Sequence, residues 1–376
     1  MPPSLKQGVS EVGTLPIWVE GDQVWLIDQR RLPEKVEYFL VNDLDSICFA
    51  IREMVVRGAP SIGVAAAFGL AKDAITQASR LSDSDRLLNR IIASQRLLDK
   101  TRPTAVNLTW ATRSMLKAAT EVMAANPEIT PPKIASHLWE CAKTMLADHI
   151  DRNRRLSAFG SELIPPGAQI LTHCNAGSLA TCGWGTALGV VRTAHLAGLK
   201  PHVFVDETRP RNQGSKLTMW ELHEDNIPAT LICDSLAPYL MSQAKIDLVV
   251  VGADRIARNG DTANKVGTYM LALSAFHHQI PFYVAAPSST IDFMIESGAD
   301  IMIEERQPEE LTVCGGTPLT VADADVLNLA FDVTPNSLIS GIITEHGVLA
   351  PPYLEALGDL EKKTLALPVL KVKEMI

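Results

Sequence analysis

Three polar residues that could do chemistry follow one apolar run in the chain. Residues 247–252 read Asp-Leu-Val-Val-Val-Gly, and Asp254, Asn264 and Lys265 come shortly after it. β-Branched residues without polar alternation are typical of a strand buried on both faces. Asp254 is therefore predicted just past the carboxyl end of a strand, where open α/β sheets bind their ligands. A carboxyl group beside a Lys could donate a proton there, although an Asp that caps a turn and a solvated Lys are the plainer interpretation.

A second stretch has the same form. Residues 169–175 predict a buried strand that ends in His173, Cys174 and Asn175, and a Gly-rich loop and a helix over 186–195 follow it. Small residues let backbone N–H groups approach an anion at a helix N-terminus, so we interpret the loop as a phosphate or sugar cradle. Its glycine spacing matches neither GxGxxG nor GxxxxGK[ST], and no nucleotide is implied. Neighbours on a strand point to opposite faces, so His173 is predicted to be structural and not the partner of the Cys174 thiol.

The elements that must position these residues change character near residues 150–165. The first part contains two short antiparallel strands within 17–28, about a Gly-Asp turn, and helices such as 82–100 and 132–160. The second part alternates strand, loop and helix, which indicates parallel βαβ units. Its predicted strands are 169–175, 202–207, 229–234, 247–252, 281–286, 300–304 and 338–344.

The predicted fold class is therefore α/β with two domains. Residues 156–376 are predicted to form a Rossmann-like catalytic domain with a doubly wound parallel sheet. Residues 1–155 are predicted to form a smaller, mainly helical domain that carries the short antiparallel strands. A chain of 376 residues, 47% of them hydrophobic, is long enough for two such cores.

The charge and the cysteines exclude several classes of protein. A formal charge of −9 argues against a nucleic-acid surface, so a small anionic substrate needs a local basic pocket. The candidates for that pocket are Arg57, Arg102, Arg209, Arg211, Lys216 and Lys265. Six scattered cysteines without CxxC spacing suggest neither a metal site nor a disulfide framework. The first residues lack a signal-peptide pattern, and the longest apolar stretch, 62–71, is about half of what spans a bilayer, so we expect a cytoplasmic protein without a membrane partner.

Seven segments together resemble the methylthioribose-1-phosphate isomerase family. They occur in order over nearly the whole chain, which makes the match far more specific than any single motif. The segments are RGAPSIG at 57–63, TRPTAVNL at 101–108, NAGSLAT at 175–181, DETRP at 206–210 with QG at 213–214, GADR at 252–255, NKVGTY at 264–269 and PFYVAAPSST at 281–290. The family is an aldose–ketose isomerase of methionine salvage, and it is related to ribose-1,5-bisphosphate isomerases and to regulatory subunits of a translation initiation factor exchange complex.

The resemblance implies a role for each matched residue. It assigns Asp254 and Cys174 to catalysis, and it implies a homodimer that needs neither a cofactor nor a metal. It places the substrate contacts on Arg57, Gly58, Ala59, Arg102, Gln213, Asn264 and Lys265. Cys182 and Trp184 stand where the family more usually has Gly and Tyr, so we interpret Cys182 as incidental. Lys216 stands where Arg is more usual, which leaves the matched contacts in place.

The substrate class sets what the two catalytic groups must do. In an aldose 1-phosphate the anomeric oxygen is esterified, so a group must protonate the ring oxygen before the ring can open. Asp254 is the predicted acid, because a dry pocket can raise the pKa of a carboxyl group towards neutrality. Cys174 would act at the transfer of hydrogen between C2 and C1, either as base or by stabilising that step. The sequence leaves open whether that hydrogen moves as a proton or as a hydride.

Two other functions stay open at this point. One is isomerisation of another ribose phosphate, such as ribose 1,5-bisphosphate, which the complete motifs at 206–210 and 285–290 disfavour. The other is a non-catalytic regulatory subunit that binds a sugar phosphate or a nucleotide. Such subunits typically carry Glu in place of Asp254 and lack Cys174, and both residues are present here.

Overall fold

The first part of the chain is a small antiparallel sheet followed by a helical layer. The computed structural model describes residues 14–103 and 105–365, without the side chains of 364 and 365, so the absence of a signal peptide, predicted from the first residues, falls outside it. The elements are β1 (Ile17–Glu20), β2 (Gln23–Ile27), β3 (Tyr38–Val41), α1 (Leu44–Arg52), α2 (Ala59–Ala78), α3 (Ser84–Asp99), α4 (Val106–Ala125) and α5 (Pro131–Ser161). The predicted antiparallel pair and the helices at 82–100 and 132–160 are confirmed as β1–β2, α3 and α5.

Local sequence signals set where these helices begin. The Asp43 carboxylate accepts the Ser46 N–H and the Ser46 hydroxyl faces back to the cap, which forms a capping box for α1. Asp83 accepts the first N–H groups of α3 in the same way. Helix α2 has Pro60 in its first turn, where a missing N–H costs nothing, and it is buried on most sides between α1, α3, α4 and α5.

The second part of the chain is built around a seven-stranded sheet. Its elements are β4 (Gln169–Thr172), α6 (Ser178–Thr181), α7 (Ala187–Leu196), β5 (His202–Asp206), α8 (Met219–Glu224), β6 (Ala229–Ile232), α9 (Ala237–Ser242), β7 (Leu248–Val251), β8 (Arg255–Ala257), β9 (Thr262–Lys265), α10 (Thr268–His277), β10 (Phe282–Ala285), β11 (Ile291–Asp292), α11 (Glu309–Thr312), β12 (Val313–Cys314), β13 (Thr317–Pro318), β14 (Phe331–Thr334), β15 (Gly341–Thr344), β16 (Gly347–Leu349) and α12 (Tyr353–Leu365).

The strand order of the large sheet places two loops side by side. The order is β16-β15-β10-β7-β4-β5-β6, and every pair is parallel except β15 with β16. The chain thus starts at β4 in the middle, runs outwards to β6, returns to β7 and runs outwards on the other side. Neighbouring connections diverge where the direction reverses, and the crevice between β4 and β7 is the topological switch point at which such sheets bind ligands.

Helices cover both faces of this sheet, which confirms the predicted doubly wound fold. Ile170 points to one face and packs with Leu156 of α5 and with residues of α7. The next residue, Leu171, points to the other face and packs with Ala272 of α10 and with residues of α9 and α12. Because side chains alternate along a strand, both faces need apolar residues, and this accounts for the unbroken apolar runs in the sequence.

Two details of the strand prediction are wrong. Residues 300–304 do not form a strand. The Asp300 carboxylate accepts the N–H and the hydroxyl of Ser297 and closes a short 3₁₀ turn, after which only an isolated bridge from Glu305 to Leu329 follows. Several strands also end earlier than predicted. Strand β4 stops at Thr172 because Cys174 has a φ of 62°, which turns the chain out of the sheet.

The long helix α5 links the two parts of the chain. It packs against α2 and α4 on one side and against α7 and β15 on the other. It also passes through residue 155, so the division into 1–155 and 156–376 stays a prediction. Among the residues that the structure describes, no helix is long and apolar enough to cross a bilayer.

Candidate active site

One pocket at the switch point gathers all nine residues to which the family resemblance assigns a catalytic or substrate-binding role. They are Arg57, Gly58, Ala59, Arg102, Cys174, Gln213, Asp254, Asn264 and Lys265. Cys174 follows β4 and Asp254 follows β7, and these two strands pair in parallel. The helical layer supplies the opposite wall through the first turn of α2 and the start of α4. The predicted meeting of Cys174 and Asp254 at the carboxyl edge is therefore present in the fold.

The N-terminus of α2 gives the pocket an anion-binding end. Gly58 precedes the helix with a φ of 93°, and a Cβ there would lie 2.4 Å from the carbonyl oxygen of Ala180. Only Gly fits so close to that backbone. No side chain among the described residues caps α2, so the Ala59 N–H remains available to a ligand. A phosphate at this helix end would also meet the positive end of the helix dipole.

Two residues that line the pocket each have a buried polar atom without a hydrogen-bond partner among the described residues. Arg57 donates through its terminal nitrogens to the carbonyl and side-chain oxygens of Asn175, and its Nε has no partner within the described part of the chain. The side-chain oxygen of Gln213 likewise has no hydrogen-bond partner among the described residues. Buried polar atoms are costly to leave unpaired, so these two favour a ligand with both acceptors and hydroxyl donors, such as a sugar phosphate.

Burial shifts the pKa of Asp254 upwards and that of Lys265 downwards, so it favours the neutral form of both groups. Burial raises the pKa of Asp254 and outweighs the opposing charges of Lys265, Arg102 and Arg306. Burial, followed by the charge of Arg306, lowers the pKa of Lys265 to about 8. Lys265 is 4% exposed, donates to the carbonyl oxygen of Ala330 at 2.7 Å and lies 4.6 Å from the centre of the Phe331 ring. A protonated carboxyl group near neutral pH is what a general acid requires.

Cys174 has a strained backbone, and its neighbours partly offset the effect of burial on the pKa of its thiol. Burial raises the pKa of the thiol, while Arg57, Lys265 and the backbone N–H of Asn175 lower it. A φ of 62° is rare for any residue other than Gly, Asn or Asp, and such outliers cluster at functional sites. The thiol therefore needs the neighbouring cations to become a thiolate.

The structure adds cationic residues that the sequence analysis missed. Arg306 lines the pocket, forms a two-pronged contact with Glu304 at 3.2 and 3.4 Å and lies 5.7 Å from the centre of the Phe331 ring. Arg102 shares the same carboxylate at 3.4 Å. Arg255 pairs with Asp292 at 3.7 Å. Arg306 lies two residues after the segment 300–304 that was wrongly predicted as a strand, and it is outside every matched motif, so only its position in the fold identifies it.

Three other predicted cations lie elsewhere. Arg209 donates to the carbonyl oxygens of Pro210 and Leu311, and Arg211 pairs with Glu310 at 2.6 Å. Lys216 is not among the pocket residues. The basic pocket thus keeps Arg57, Arg102 and Lys265 of the six candidates.

The loop after Cys174 is not the free anion cradle that its small residues predict. Its N–H groups at Ser178 and Leu179 donate to the carboxylate of Glu221, which also accepts the Ser178 hydroxyl and the Asn175 amide. Glu221 is buried, so this chain supplies its own anion to the helix end. The prediction failed because a distant carboxylate meets the same requirement as a phosphate. Cys182, on the same loop, is fully buried against Ser61 and does not line the pocket.

His173 lines the pocket, but both of its ring nitrogens already have partners within the protein, as expected for a structural residue. Its Nδ1 lies 2.9 Å from a carboxylate oxygen of Asp206, and its Nε2 lies 2.9 Å from the carbonyl oxygen of Val266. Burial opposes protonation of the ring, but the hydrogen bond and charge of Asp206 outweigh it and raise the pKa of His173. One atom each of His173, Asp206 and Asp234 lies within 4.8 Å of the others. Asp234 accepts the N–H groups of Thr208 and Arg209, so this cluster braces the loops beside the pocket.

Comparison with known proteins agrees with this fold and shows the family of the chain. The model of the initiation factor 2 subunit family matches residues 55–351. The chain is 49% identical to a methylthioribose-1-phosphate isomerase of Desulforamulus reducens over 92% of this chain and 97% of that one. It is 50% identical to the enzyme of the same name from Chloroflexus aurantiacus, over 92% and 98% of the two chains.

Solved structures give the same result. The 5-methylthioribose 1-phosphate isomerase of Pyrococcus horikoshii superimposes with a TM-score of 0.85 at 41% identity, covering 93% of this chain and 96% of that one. A structure described as translation initiation factor eIF-2B, subunit delta, from A. fulgidus superimposes with a TM-score of 0.81, also at 41% identity, covering 92% and 99%. The chain belongs to the initiation factor 2 subunit family and, within it, to the methylthioribose-1-phosphate isomerases.

The lowered pKa of Lys265 predicts how anion binding depends on pH. A cation whose pKa is lowered loses its charge at a lower pH than in water, so Lys265 becomes neutral as the pH rises through about 8. We expect the inhibition constant of inorganic phosphate to rise between pH 7.5 and 9.5, approaching about tenfold per pH unit if only charged Lys265 binds.

The variant Lys265→Arg distinguishes the contribution of Lys265 to this pH dependence from that of other titrating groups. Arginine stays charged in this range, so the rise should disappear whatever the absolute affinity of the variant. Lys72→Arg, on the outer side of α2, is the matched control and should keep the wild-type profile. An unchanged rise in Lys265→Arg would contradict the assignment.

Proposed function

We propose that this protein converts 5-methylthioribose 1-phosphate to 5-methylthioribulose 1-phosphate, the isomerisation for which its close relatives are named. The observation that carries the proposal is the meeting of Cys174 and Asp254 in one pocket, with Arg57 and Lys265 beside them. An acid, a thiol and two cations are what ring opening and hydrogen transfer in an aldose 1-phosphate require. The 49–50% identity to two relatives of that name supports the same choice.

The charge balance of the pocket favours a substrate with one phosphate. Arg102 and Arg306 share Glu304, and Arg255 pairs with Asp292. Within the described residues, Arg57 and Lys265 have no carboxylate at salt-bridge distance, and two positive charges match one phosphate dianion.

Part of the pocket lining is apolar. Met54, Ile62, Val106, Ile301 and Ile303 line it, and none of them offers a donor to a second phosphate. A methylthio group fits such a wall, whereas a phosphate at C5 would be desolvated there without a partner. This contrast supports 5-methylthioribose 1-phosphate over ribose 1,5-bisphosphate.

The proposed mechanism begins with ring opening. The phosphate binds at Arg57, Lys265 and the N-terminus of α2. The Asp254 carboxyl group donates its proton to the ring oxygen as the bond from that oxygen to C1 breaks, which leaves a hydroxyl on C4. A hydrogen then passes from C2 to C1 beside Cys174, and the C2 hydroxyl becomes a carbonyl as its proton leaves. That proton restores the Asp254 carboxyl group, so the enzyme returns to its first state.

A regulatory subunit is the second candidate, because the structure described as subunit delta of eIF-2B superimposes almost as well. The shared fold does not decide between binding and catalysis. A purely binding site would need the phosphate contacts but would gain nothing from a buried acid and a thiol held in a strained conformation. The presence of both groups supports the enzyme.

One assay tests the function directly. The purified protein is incubated with 5-methylthioribose 1-phosphate or with ribose 1,5-bisphosphate, and the ketose product is measured. We expect kcat/KM for the first substrate to exceed that for the second by at least about 10², the range in which a pocket distinguishes a methylthio group from a charged one. Binding without turnover of either compound would favour the regulatory subunit.

Asp254→Asn should abolish turnover and leave the fold intact. An amide fills the same space but cannot donate a proton to the ring oxygen, and a loss of about 10²–10⁴ in kcat fits a single general acid. Asp247→Asn is the matched control, since Asp247 lies at the start of β7 and accepts the N–H of Gln169. If Asp254→Asn kept the wild-type kcat with an unchanged melting curve, Asp254 would be a loop residue only.

Cys174→Ser should lower kcat strongly, whereas Cys182→Ser should lower it little. Serine is far less acidic and less polarizable than cysteine, so either role of the Cys174 thiol suffers. A substrate-protected thiol whose alkylation inactivates the enzyme should map to Cys174. Mapping of that thiol to Cys182, with a fully active Cys174→Ser variant, would refute the assignment.

We also propose a cytoplasmic homodimer. Helix α10 is apolar all round, yet its outer side leaves Tyr269, Met270, Leu273 and Phe276 exposed, the last by 65%. An apolar face of this kind on a soluble protein is typical of an interface. Light scattering should give twice the mass of the chain, and Phe276→Glu should shift it towards a monomer; a wild-type monomer at micromolar concentration would contradict the proposal.

A further inference from the structure

The backbone of Cys174 is held on both sides by threonine hydroxyls. The Cys174 N–H donates to Oγ1 of Thr208 at 2.8 Å, and the Cys174 carbonyl oxygen accepts the hydroxyl of Thr218 at 2.6 Å. Both threonines are fully buried. With a φ of 62°, Cys174 lies outside the sheet and makes no strand-to-strand hydrogen bonds with the described residues. The two threonine hydroxyls satisfy its backbone N–H and carbonyl oxygen instead.

Each threonine is itself fixed by a second hydrogen bond. The Thr208 hydroxyl donates to the carbonyl oxygen of Asp206 at 3.0 Å, so its only proton is used and its lone pairs face Cys174. The Thr208 N–H is in turn held by Asp234 at 2.7 Å. The Thr218 hydroxyl accepts the side-chain amide of Asn175 at 3.1 Å. The hydroxyls can therefore not rotate away without breaking a second contact.

The same contacts connect the Cys174 backbone to its thiol. Asn175, whose amide binds Thr218, also receives the guanidinium of Arg57, and its own N–H lowers the pKa of the Cys174 thiol. Asn175 and Arg57, which favour the thiolate form of Cys174, are thus positioned by the same hydrogen bonds that fix the Cys174 backbone. A shift of the Cys174 peptide would move the thiol away from both.

We propose that Thr208 and Thr218 are positioning residues that hold Cys174 in its left-handed conformation, with its thiol in the pocket beside Asn175 and Arg57. Neither threonine lines the pocket, so neither touches the substrate. The role in turnover rests on the proposed isomerase activity, whereas the role in thiol reactivity does not.

The test compares Thr208→Val and Thr218→Val with Thr208→Ser and Thr218→Ser. Valine keeps the shape and removes the hydroxyl, and serine keeps the hydroxyl. All variants carry Cys233→Ser and Cys314→Ser, because those two thiols are exposed and would react first. Four quantities are measured: kcat, KM, the pH dependence of Cys174 alkylation by iodoacetamide, and the melting temperature.

We expect the Val variants to lose about tenfold or more in kcat, with KM changed less than about threefold. The midpoint of the alkylation profile should rise by about half a pH unit or more, because the thiol loses the Asn175 N–H. The Ser variants should stay within about threefold of the parent in kcat and keep its midpoint. Thr172→Val is the matched control, since Thr172 on β4 donates to the carbonyl oxygen of Val250 at 2.8 Å and does not contact Cys174.

Val variants that melt earlier but keep both kcat and the alkylation midpoint would reduce the threonines to a structural role and overturn the proposal. A tenfold loss in either Ser variant would overturn it as well, and this arm holds even if the Val variants do not fold. If the parent turned over no sugar phosphate, the proposed function would fail, while the alkylation arm would still decide the role of the threonines.

Discussion

The parallel pairing of β4 with β7 is the contact on which the rest of the site depends. Ile170 lies opposite Leu248 and Leu171 opposite Val249, and the chain leaves this pair in opposite directions across the sheet. The two loops that follow therefore diverge and open a crevice between residues far apart in sequence. Because side chains alternate along a strand, a slip of one residue would exchange the buried faces of both strands, so the hydrophobic core that fixes this register also fixes the site.

Burial of charge is the second constraint, and it follows from the first. A crevice between two loops and a helical layer is dry enough to make isolated charges costly. The fold pairs some of its cations, as when Arg102 and Arg306 share Glu304, and it leaves the remaining cost visible as the lowered pKa of Lys265 and the raised pKa of Asp254. The same desolvation thus favours the protonated form of Asp254 and favours the binding of an anion beside Lys265.

The sequence predicts the parts of this arrangement that depend on local pattern. Unbroken apolar runs located the strands, and motif residues such as Arg57 and Lys265 reached the pocket as predicted. Features that depend on tertiary partners were missed. Arg306 has no motif, and its position depends on a segment that a local Ser297–Asp300 cap turns away from strand geometry. The Gly-rich loop had the right chemistry for an anion, but only the fold reveals that Glu221 is that anion.

The internal anion separates the stability of the loops from the groups proposed to act on the substrate. Glu221 and the His173–Asp206 pair stabilise the loops around the pocket through hydrogen bonds within the chain. This frame of loops can therefore form without a bound ligand. In the proposed mechanism, phosphate contacts from α2 and Lys265 form a second layer, which is sufficient for binding. The proposed catalysis needs only a third layer, the Asp254 carboxyl group and the Cys174 thiol at the ends of two strands. Replacing two side chains in that layer would leave the frame and the binding contacts in place, which agrees with the TM-score of 0.81 to the structure described as translation initiation factor eIF-2B, subunit delta.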